Sequence, residues 1–327
     1  MLCCRKGDKM TYQPPFTITP EILTLVADIS LSLGKLAVIQ QGERALKLRK
    51  INRIKTIQAS LAIEGNTLNE EQITAILDGK QVLAAPKDIQ EVQGAIKAYE
   101  ILDTLKPTSV KDLLEAHRVL MEGLVSTSGK FRTGGAGIMK GKEVIHVAPP
   151  AERVPLLMED LLGWLAKTDN HPLISSSVFH YEFEFIHPFP DGNGRMGRLW
   201  QTLILSRWNP LFAYLPVETL IHDQQQEYYQ AINQSSAIAN STPFITFILR
   251  MLHKAIKDNL TMSEKVSEKV SEKIIRLIGE NNSVTIAELA VIIGVSTRTI
   301  ERNLKILQDE GLLERIGPAK GGRWNVL

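Results

Sequence analysis

The stretch that most constrains this chain is the twelve residues from His187 to Arg198, which read HPFPDGNGRMGR. It combines one histidine, one carboxylate, three glycines and two arginines. Glycine lets backbone N–H groups come close to a ligand, because no side chain stands in the way. We predict a helix from Met196 onwards, so the glycine-rich turn would lie at a helix N-terminus, where unpaired N–H groups and the helix dipole favour anions.

The side chains of this stretch suit a phosphate site. Arg195 and Arg198 are three residues apart, so both can point from one helix face towards the same anion, and guanidinium groups match phosphate oxygens. Asp191 can hold a divalent cation, and His187 can take a proton near neutral pH. Together they predict a phosphate-transfer site with a base, a metal ligand, an anion nest and two charge clamps. The plain alternative is a glycine-rich helix start with unrelated surface side chains.

The stretch resembles the signature of the Fic family, HxFx(D/E)GNGRxxR, and matches it at every fixed position. Fic proteins commonly transfer AMP from ATP to a hydroxyl side chain of a target protein. The resemblance implies that His187 is the catalytic base and that Asp191 holds Mg²⁺. It implies that ATP is bound by Gly192, Asn193, Gly194, Arg195, Met196, Gly197 and Arg198, and that Tyr229 borders the adenine.

A second short motif lies at the end of a predicted helix from about Glu43 to Ile63. There Ser60 and Glu64 are four residues apart on one helix face, and Gly65 is a suitable C-cap. An acid in the last turn opposes the helix dipole, so another contact should favour Glu64. The segment resembles the Fic inhibitory motif, (S/T)xxxE(G/N). The resemblance implies that Glu64 pairs with Arg198 and removes the clamp for the ATP γ-phosphate; the alternative is a surface glutamate beside a C-cap.

Length, charge and cysteine content indicate the kind of protein and the compartment in which it folds. A length of 327 residues suggests two or three domains, and a net charge of +2 does not predict nucleic-acid or membrane binding. The only cysteines, Cys3 and Cys4, are adjacent and cannot staple a fold, which fits a reducing compartment. No apolar run reaches the length of a membrane span, and the first residues lack the apolar core of a secretory signal. We therefore expect a cytoplasmic protein without a membrane partner.

The expected fold is mainly α: a Fic helical core with a small β-hairpin flap, and a C-terminal winged helix domain. The family resemblance covers roughly residues 43–260. The flap, at about residues 138–147, would align a target segment by strand addition, although an ordinary edge hairpin fits the residues equally well. The expected domains are an N-terminal helical region with the inhibitory helix (1–105), the Fic catalytic domain (106–260), a linker (261–273) and a winged helix-turn-helix domain (274–327).

Several residues near the signature are open to two interpretations. His117 and His180 lie in periodic helical segments and are predicted to be structural. Phe131-Arg132 resembles the (Y/F)R loop that precedes the flap in Fic proteins. Core packing remains the alternative for Tyr229, and the polar group that would bind the base within residues 233–236 stays undecided.

The C-terminal segment shows a helix, a short glycine-containing turn and a second helix, followed by two strands. It resembles a winged helix-turn-helix domain. Arg298, Arg302 and Lys305 fall on the predicted recognition helix, yet residues 263–327 hold ten Lys/Arg against nine Asp/Glu. Because strong DNA binders usually have a clearer basic footprint, DNA binding stands beside protein docking or homodimer formation. The repeat within residues 262–273 indicates a hinge or an exposed helical lead-in.

The sequence therefore predicts a protein adenylyltransferase that uses ATP and Mg²⁺, is auto-inhibited by Glu64 and can modify itself. One alternative is a DNA-binding regulator that senses nucleotide. Another is a Fic enzyme with a different donor, or one that removes AMP. The sequence does not identify the target protein.

Overall fold

The structure, a computed structural model, describes residues 12–39, 43–140, 143–318 and 322–327. Within them the chain is mainly α-helical, with thirteen α-helices and two antiparallel β-hairpins. The predicted fold class is thus confirmed. The chain forms two compact units: the described residues up to Ser30 together with Lys50–Ala255, and Leu31–Arg49 together with Ile256–Leu327.

The helices are, in chain order, α1 (Pro20–Ile39), α2 (Glu43–Ile63), α3 (Glu70–Leu77), α4 (Pro86–Glu100), α5 (Val110–Leu120), α6 (Val154–Leu165), α7 (Pro172–Ile186), α8 (Asn193–Trp208), α9 (Val217–Asp223), α10 (Gln225–Ala237), α11 (Thr242–Glu280), α12 (Ile286–Ile293) and α13 (Thr297–Asp309). Short 3-10 turns cover Leu102–Thr104, Ala151–Arg153 and Pro210–Tyr214. The strands are β1 (Gly137–Lys140), β2 (Glu143–Val147), β3 (Leu313–Ile316) and β4 (Arg323–Val326).

Local sequence signals explain many of these boundaries. Helix α3 begins with a capping box, in which Asn69 and Gln72 each bond the other's backbone N–H. Gly65 follows α2 with φ +92°, and the N–H of Asn66 bonds the carbonyl of Leu61, as in a Schellman end. The apolar periodicity of the sequence predicts helices over about 43–63, 110–120 and 286–293, and the observed α2, α5 and α12 have these bounds.

The core of the first unit is built around the pair α7 and α8. Almost every residue of α7 is buried. The largest fully buried side chains of the unit include Phe179 and Phe183 of α7, Trp200 of α8 and Phe244 of α11. A Cβ at Gly197 of α8 would lie 2.9 Å from both Glu184 and His180 of α7, so the glycine permits this close packing. The signature residues connect these two helices and are therefore held on the most buried part of the unit.

The hairpin β1–β2 lies where the flap is predicted. Its pairing is antiparallel, with Gly137 opposite Val147 and Lys140 opposite Glu143, and the register shifts after Ile138. Such a shift, or bulge, bends the local strand. The predicted turn at residues 141 and 142 lies outside the described residues.

The second unit contains the predicted helix-turn-helix and wing. Its buried core joins the end of α11 to α12, α13 and the hairpin β3–β4, and consists of Val270, Ile274, Ile278, Val284, Leu289, Ala290, Ile300, Leu304, Leu307, Leu313 and Trp324. Gly294 makes the turn between α12 and α13 at φ +74°. In the wing, Arg315 pairs with Trp324, whose backbone N–H donates to Asn282. Residues 319–321 of the wing loop lie outside the described residues.

Several helix boundaries differ from the prediction. Helix α8 begins at Asn193, not at Met196, because Gly192 adopts the left-handed conformation and acts as its N-cap. The sequence pattern predicts a helix over 88–105, but α4 ends at Glu100. It also predicts a new helix over 223–231; in the structure α9 ends at Asp223 and α10 begins at Gln225 after a break at Gln224.

Helix α11 runs from Thr242 to Glu280 without interruption, whereas the sequence indicated helices over 243–260 and 274–278 separated by a polar repeat. The repeat contains no glycine or proline and is rich in Glu and Lys, which are good helix formers. It is therefore a helical lead-in. The expected domain boundaries at 106, 261 and 274 remain predictions.

Among the described residues, no helix combines the length and apolar character needed to cross a membrane.

Candidate active site

His187 directly follows α7 and adopts the left-handed backbone conformation, with φ 49° and ψ 61°. Its N–H donates to the carbonyl of Phe183 at 2.9 Å, which closes the last turn of the helix. A histidine with positive φ is uncommon and requires support from the surrounding structure. The chain therefore turns sharply here and presents an imidazole that is 18% exposed.

Arg132 supplies much of this support. It is buried, and its guanidinium donates to the carbonyls of His187 (2.7 Å), Ile186 (3.2 Å), Gly134 (2.8 Å) and Pro149 (2.5 Å). Gly134 and Pro149 lie on either side of the flap hairpin. Arg132 thus ties both flap ends to the backbone that carries His187. The Phe131-Arg132 motif is visible in the sequence, but this role of Arg132 is not.

Asn193 closes the signature loop with its side chain. Its amide oxygen accepts the N–H of Phe189 and its amide nitrogen donates to the Phe189 carbonyl, both at 2.8 Å. Gly192 precedes it at φ +79°, and an added Cβ there would lie 2.6 Å from the sulfur of Met121. The predicted ATP-binding contribution of Asn193 can therefore come only from its backbone.

His117 packs beneath the same loop. It is fully buried and stacks on Phe189 with ring centroids 3.7 Å apart. Its Nδ1 accepts the N–H of Gly129, so Nε2 carries the proton and donates to the Asp191 carbonyl at 3.0 Å. Burial lowers the pKa of His117 to about 4 and keeps the ring neutral. These contacts agree with the structural role predicted for it.

Arg195 lies on the first turn of α8 and is buried between two carboxylates. Its guanidinium nitrogens lie 3.3 Å from Glu91 and 3.3 Å from Asp191. Asp191 also accepts the N–H of Gly192 through Oδ1, and its side chain is exposed. Glu91 is in turn bonded by the amide of Asn66 at 2.9 Å. The sequence did not single out Glu91, because nothing in its surroundings resembles a motif.

Arg198 is the most enclosed charge of the site, with a side chain that is 1% exposed. Its Nε donates to the Ser60 hydroxyl (3.0 Å), and its Nη2 donates to the Ser60 carbonyl (2.9 Å) and to Oε1 of Glu64 (2.8 Å). Burial opposes the charge, but Glu64 nevertheless raises the pKa of Arg198 above its usual value. The structure thus brings together the residues that the sequence paired from two segments 134 positions apart.

Glu64 also lies directly over the start of α8. A Cβ added to Gly194 would be 2.3 Å from Oε1 of Glu64, so a larger residue there would require this carboxylate to shift. The first N–H groups of a helix have no partner within the helix and attract anions. A negative side chain therefore lies against the surface where a phosphate would bind.

Tyr228 and Tyr229 differ in their surroundings. Tyr228 is buried, and its hydroxyl contacts Nε2 of His180 at 3.2 Å. Tyr229 is half-buried, and its pKa is raised mainly by burial and next by the charge of Glu64. Tyr229 therefore lies on the Glu64 side of the site. Within residues 233–236, Ser235 bonds the N–H of Phe244, whereas Asn233 and Gln234 are exposed.

His180 and Glu184 form a buried polar group on the inner face of α7. His180 contacts Gln201 through Nδ1 at 2.7 Å, and burial lowers its pKa to about 3. The carboxyl group of Glu184 lies 3.9 Å from both His180 and His187. Sequence reasoning missed Glu184, because a lone glutamate in an apolar helix carries no motif.

A divalent cation fits Asp191, although the described residues contain no cluster of three His, Cys, Asp or Glu that could hold a metal by themselves. The Asp191 carboxylate is exposed and adjoins the anion-attracting start of α8. Mg²⁺ typically binds through one or two carboxylates together with phosphate oxygens and water. The residues present therefore fit a cation that is shared with a bound phosphate chain.

Comparisons with known proteins agree with this geometry. Residues 107–205 match the Fic/DOC family, and residues 268–314 match a winged helix-turn-helix DNA-binding domain. The crystal structure of a Fic family protein from Desulfovibrio desulfuricans G20 is 47% identical and has a TM-score of 0.74, with 97% of this chain and 98% of that chain covered. This chain therefore belongs to the Fic family, and it carries a C-terminal winged helix-turn-helix domain.

More distant relatives have curated names. The chain is 31% identical to protein adenylyltransferase fic-1 of Caenorhabditis briggsae, over 68% of this chain and 44% of that protein. It is 29% identical to protein adenylyltransferase Fic of Nematostella vectensis, over 61% and 47% respectively. The chain thus spans less than half the length of these curated relatives.

Proposed function

We propose that this chain is a protein adenylyltransferase that Glu64 holds inactive. The observation that carries the proposal is the position of Glu64, which bonds Arg198 and covers Gly194 at the start of α8. The Glu64 carboxylate occupies both Arg198 and the N-terminus of α8, which are the two groups that would otherwise bind a phosphate. It can therefore keep the phosphates of ATP from binding productively.

In the proposed reaction, ATP binds with its phosphates on the backbone N–H groups at residues 192–194. Arg195 steadies the β-phosphate, and Arg198 takes the γ-phosphate once Glu64 has moved. Asp191 holds Mg²⁺, which supplies positive charge to the phosphate chain. Met196 and Gly197 complete the ATP-binding turn at the start of α8. Tyr229 borders the adenine. Catalysis of this type is mostly positioning and charge stabilisation.

His187 accepts the proton of a target Ser, Thr or Tyr hydroxyl through its imidazole. The hydroxyl oxygen then attacks the α-phosphorus in line. A new O–P bond forms, and the bond between the α-phosphorus and the bridging oxygen of pyrophosphate breaks. Arg132 keeps His187 in register with the flap, where an extended target segment adds a strand.

The test is self-modification measured by intact mass. Wild type, Glu64→Gly and Glu64→Gly/His187→Ala are incubated with ATP and Mg²⁺, and the gain of AMP units is compared. We expect a larger gain in Glu64→Gly than in wild type and none in the double variant. AMP gain that is equal in wild type and Glu64→Gly would contradict the brake. No gain with ATP, but a gain with UTP or another donor, would overturn the assignment of ATP.

A second function is favoured by the winged helix domain. Helix α13 presents Arg298 and Lys305 at its exposed surface, with Arg302 half-buried beside them. Ser296 caps the N-terminus of α13, so the helix begins at Thr297 and Arg298 lies in its first turn. In a helix-turn-helix domain, the N-terminal residues of the recognition helix contact base edges in the major groove. We propose that this domain binds DNA, with Arg298 and Lys305 of α13 contacting phosphates. DNA affinity that does not change when these basic residues are replaced would favour binding to a protein instead.

A further inference from the structure

Glu184 is a buried glutamate on α7, three residues before His187, and none of the transfer steps above uses it. Its Oε2 lies 3.9 Å from Nδ1 of His187, and this nitrogen is shielded from solvent. Its Oε1 is also buried and has no hydrogen-bond partner among the described residues. Such a carboxyl group is costly to bury, so its presence requires an explanation.

The neighbouring His180 does not satisfy this carboxyl group. The side-chain oxygen of Gln201 can only accept, so Nδ1 of His180 carries the proton in their 2.7 Å contact. The other nitrogen, Nε2, then accepts from the Tyr228 hydroxyl at 3.2 Å. Nε2 of His180 lies 3.9 Å from Glu184 but has no proton to donate.

Packing alone does not explain Glu184 either. Its Oε1 lies against Gly197, where α7 and α8 approach most closely. An apolar side chain of similar size would fill this place without the cost of desolvating a charge. Among the described residues, the other polar group close to this carboxyl group is the imidazole of His187, which directly follows α7.

We propose that Glu184 is the positioning residue of the catalytic histidine: its carboxylate accepts the Nδ1–H of His187 and so keeps Nε2 unprotonated. This inference rests on the function proposed above. Nε2 then takes the proton of the target hydroxyl, and the carboxylate stabilises the imidazolium that results. A movement of about 1 Å shortens the 3.9 Å separation to a hydrogen bond, as commonly happens when a catalytic pair binds its substrate.

The charge state of Glu184 depends on groups from every element packed against it. Burial has the largest effect and raises its pKa, Arg198 of α8 lowers it, and Glu64 after α2 raises it, so that the pKa lies at about 8. The other titratable groups in this region are Tyr228 and Tyr229 on α10, His180 on α7, and His187 directly after α7.

These charges predict a pH dependence. Below its pKa, Glu184 is protonated and donates to Nδ1, which moves the imidazole proton to Nε2 and blocks the base. The rate of transfer should therefore rise with pH as the Glu184–His187 pair loses its proton. In Glu64→Gly the midpoint should lie below about 8, because Glu64 is one of the charges that raise the pKa of Glu184.

The experiment measures self-modification against pH at saturating ATP, in the Glu64→Gly background. Glu184→Gln should lower the maximal rate roughly tenfold or more, leave the ATP concentration for half-maximal rate within about twofold, and abolish the rising limb. Glu184→Asp should retain the limb. The matched control is Glu182→Gln, since Glu182 is equally buried on α7 but bonds Tyr12 instead of facing His187.

A second measurement does not depend on activity. Nitrogen NMR of imidazole-labelled protein, with His187→Ala to assign the signal, reports which nitrogen of His187 carries the proton. Above the pKa of Glu184 we expect the Nδ1–H form in wild type and in Glu182→Gln, and a shift towards Nε2–H in Glu184→Gln. If Glu184→Gln does not fold, the same tautomer change on lowering the pH of wild type decides the question.

The inference is overturned if the tautomer of His187 is the same in all of these proteins and across the pH range, or if Glu184→Gln and Glu182→Gln have the same pH profile. Absence of any transfer in Glu64→Gly would instead contradict the proposed function, and the tautomer measurement would still decide the role of Glu184.

Discussion

At the scale of single residues, the centre of this molecule is the contact between Arg198 and the end of α2. Removing one partner of a buried ion pair usually leaves an uncompensated charge and destabilises the protein. Here Arg198 keeps two further bonds to Ser60 when Glu64 is removed, and the Glu64 side chain is 33% exposed. We therefore expect Glu64 variants to fold normally, which makes the glutamate suitable as a removable brake.

Ser60→Ala should release the brake in part. The substitution removes the bond from Nε of Arg198 to the hydroxyl but leaves the bonds to the Ser60 carbonyl and to Glu64. One hydrogen bond to a charged group contributes about 1.5–3 kcal/mol, so self-modification should rise, but less than in Glu64→Gly. The measurement is the initial rate of AMP incorporation in both variants. A rate equal to that of wild type would show that the hydroxyl does not hold Arg198.

His187→Ala should abolish transfer and leave ATP binding nearly unchanged. The imidazole is the proposed proton acceptor, whereas the proposed phosphate contacts belong to α8 and the turn before it. Loss of a general base typically costs 10²- to 10⁴-fold in rate. The measurement pairs AMP incorporation with calorimetric ATP binding, both in the Glu64→Gly background. Normal turnover by the variant would exclude His187 as the base.

At the scale of elements, two glycines show how closely the helices of the first unit pack. A Cβ at Gly94 of α4 would lie 2.3 Å from the backbone carbonyl oxygen of Leu120 on α5, whereas a Cβ at Gly163 of α6 would meet nothing within 4 Å. The close crossing of α4 and α5 therefore depends on the missing side chain at Gly94, whereas no such contact depends on Gly163.

Gly94→Ala should lower the free energy of unfolding by about 1–3 kcal/mol, since the added methyl group forces α4 and α5 apart. Gly163→Ala is the matched control and should raise it by up to about 1 kcal/mol, because alanine favours the helix. Thermal denaturation of both variants provides the comparison. Equal shifts in the two melting temperatures would show that the α4–α5 crossing is not restricted in this way.

The loop that holds His187 depends on one arginine, and Arg132→Lys should reveal this. Lysine keeps the charge but cannot reach the four carbonyls that the planar guanidinium contacts. We expect the maximal rate of transfer to fall about tenfold or more while ATP affinity changes little. Arg153→Lys, at an exposed position after the flap, is the control and should retain its rate. A loss of ATP binding in Arg132→Lys would instead indicate general disruption of the site.

At the scale of the whole molecule, the chain combines an enzyme family with a winged helix domain. The DNA proposal predicts that Arg298→Ala and Lys305→Ala weaken binding to duplex DNA and that each lowers the salt slope of log K by about 1. Fluorescence anisotropy over a salt series measures both quantities. Glu301→Ala, an exposed acidic residue on α13, is the control and should not weaken binding. DNA affinity that is unchanged in both basic variants would favour protein docking.

The sequence by itself determined most secondary-structure elements of this protein and its family. The signature from His187 to Arg198 and the winged helix could be predicted from short motifs and from spacing along one helix. The pairing of Glu64 with Arg198, which lie 134 positions apart, was implied only by the resemblance to the Fic inhibitory motif. Capping residues such as Asn69 and Gly65 also fixed helix ends locally. The start of α8 was placed three residues late, because the left-handed turn at Gly192 is compatible with either boundary.

Only the tertiary structure decided which distant residues support the site. Arg132, Glu91, His117 and Glu184 carry little or no signal of their own, and they act because the fold brings them against the signature. The physical reason is burial: a charge or an imidazole acquires its role from the donors, acceptors and low dielectric around it. For His117 and Arg132 these surroundings cannot be read from the order of residues, since their partners lie 50 or more positions away and meet them only when the chain has folded. Glu184 is only three residues from His187, but it is buried because α7 packs closely against α8.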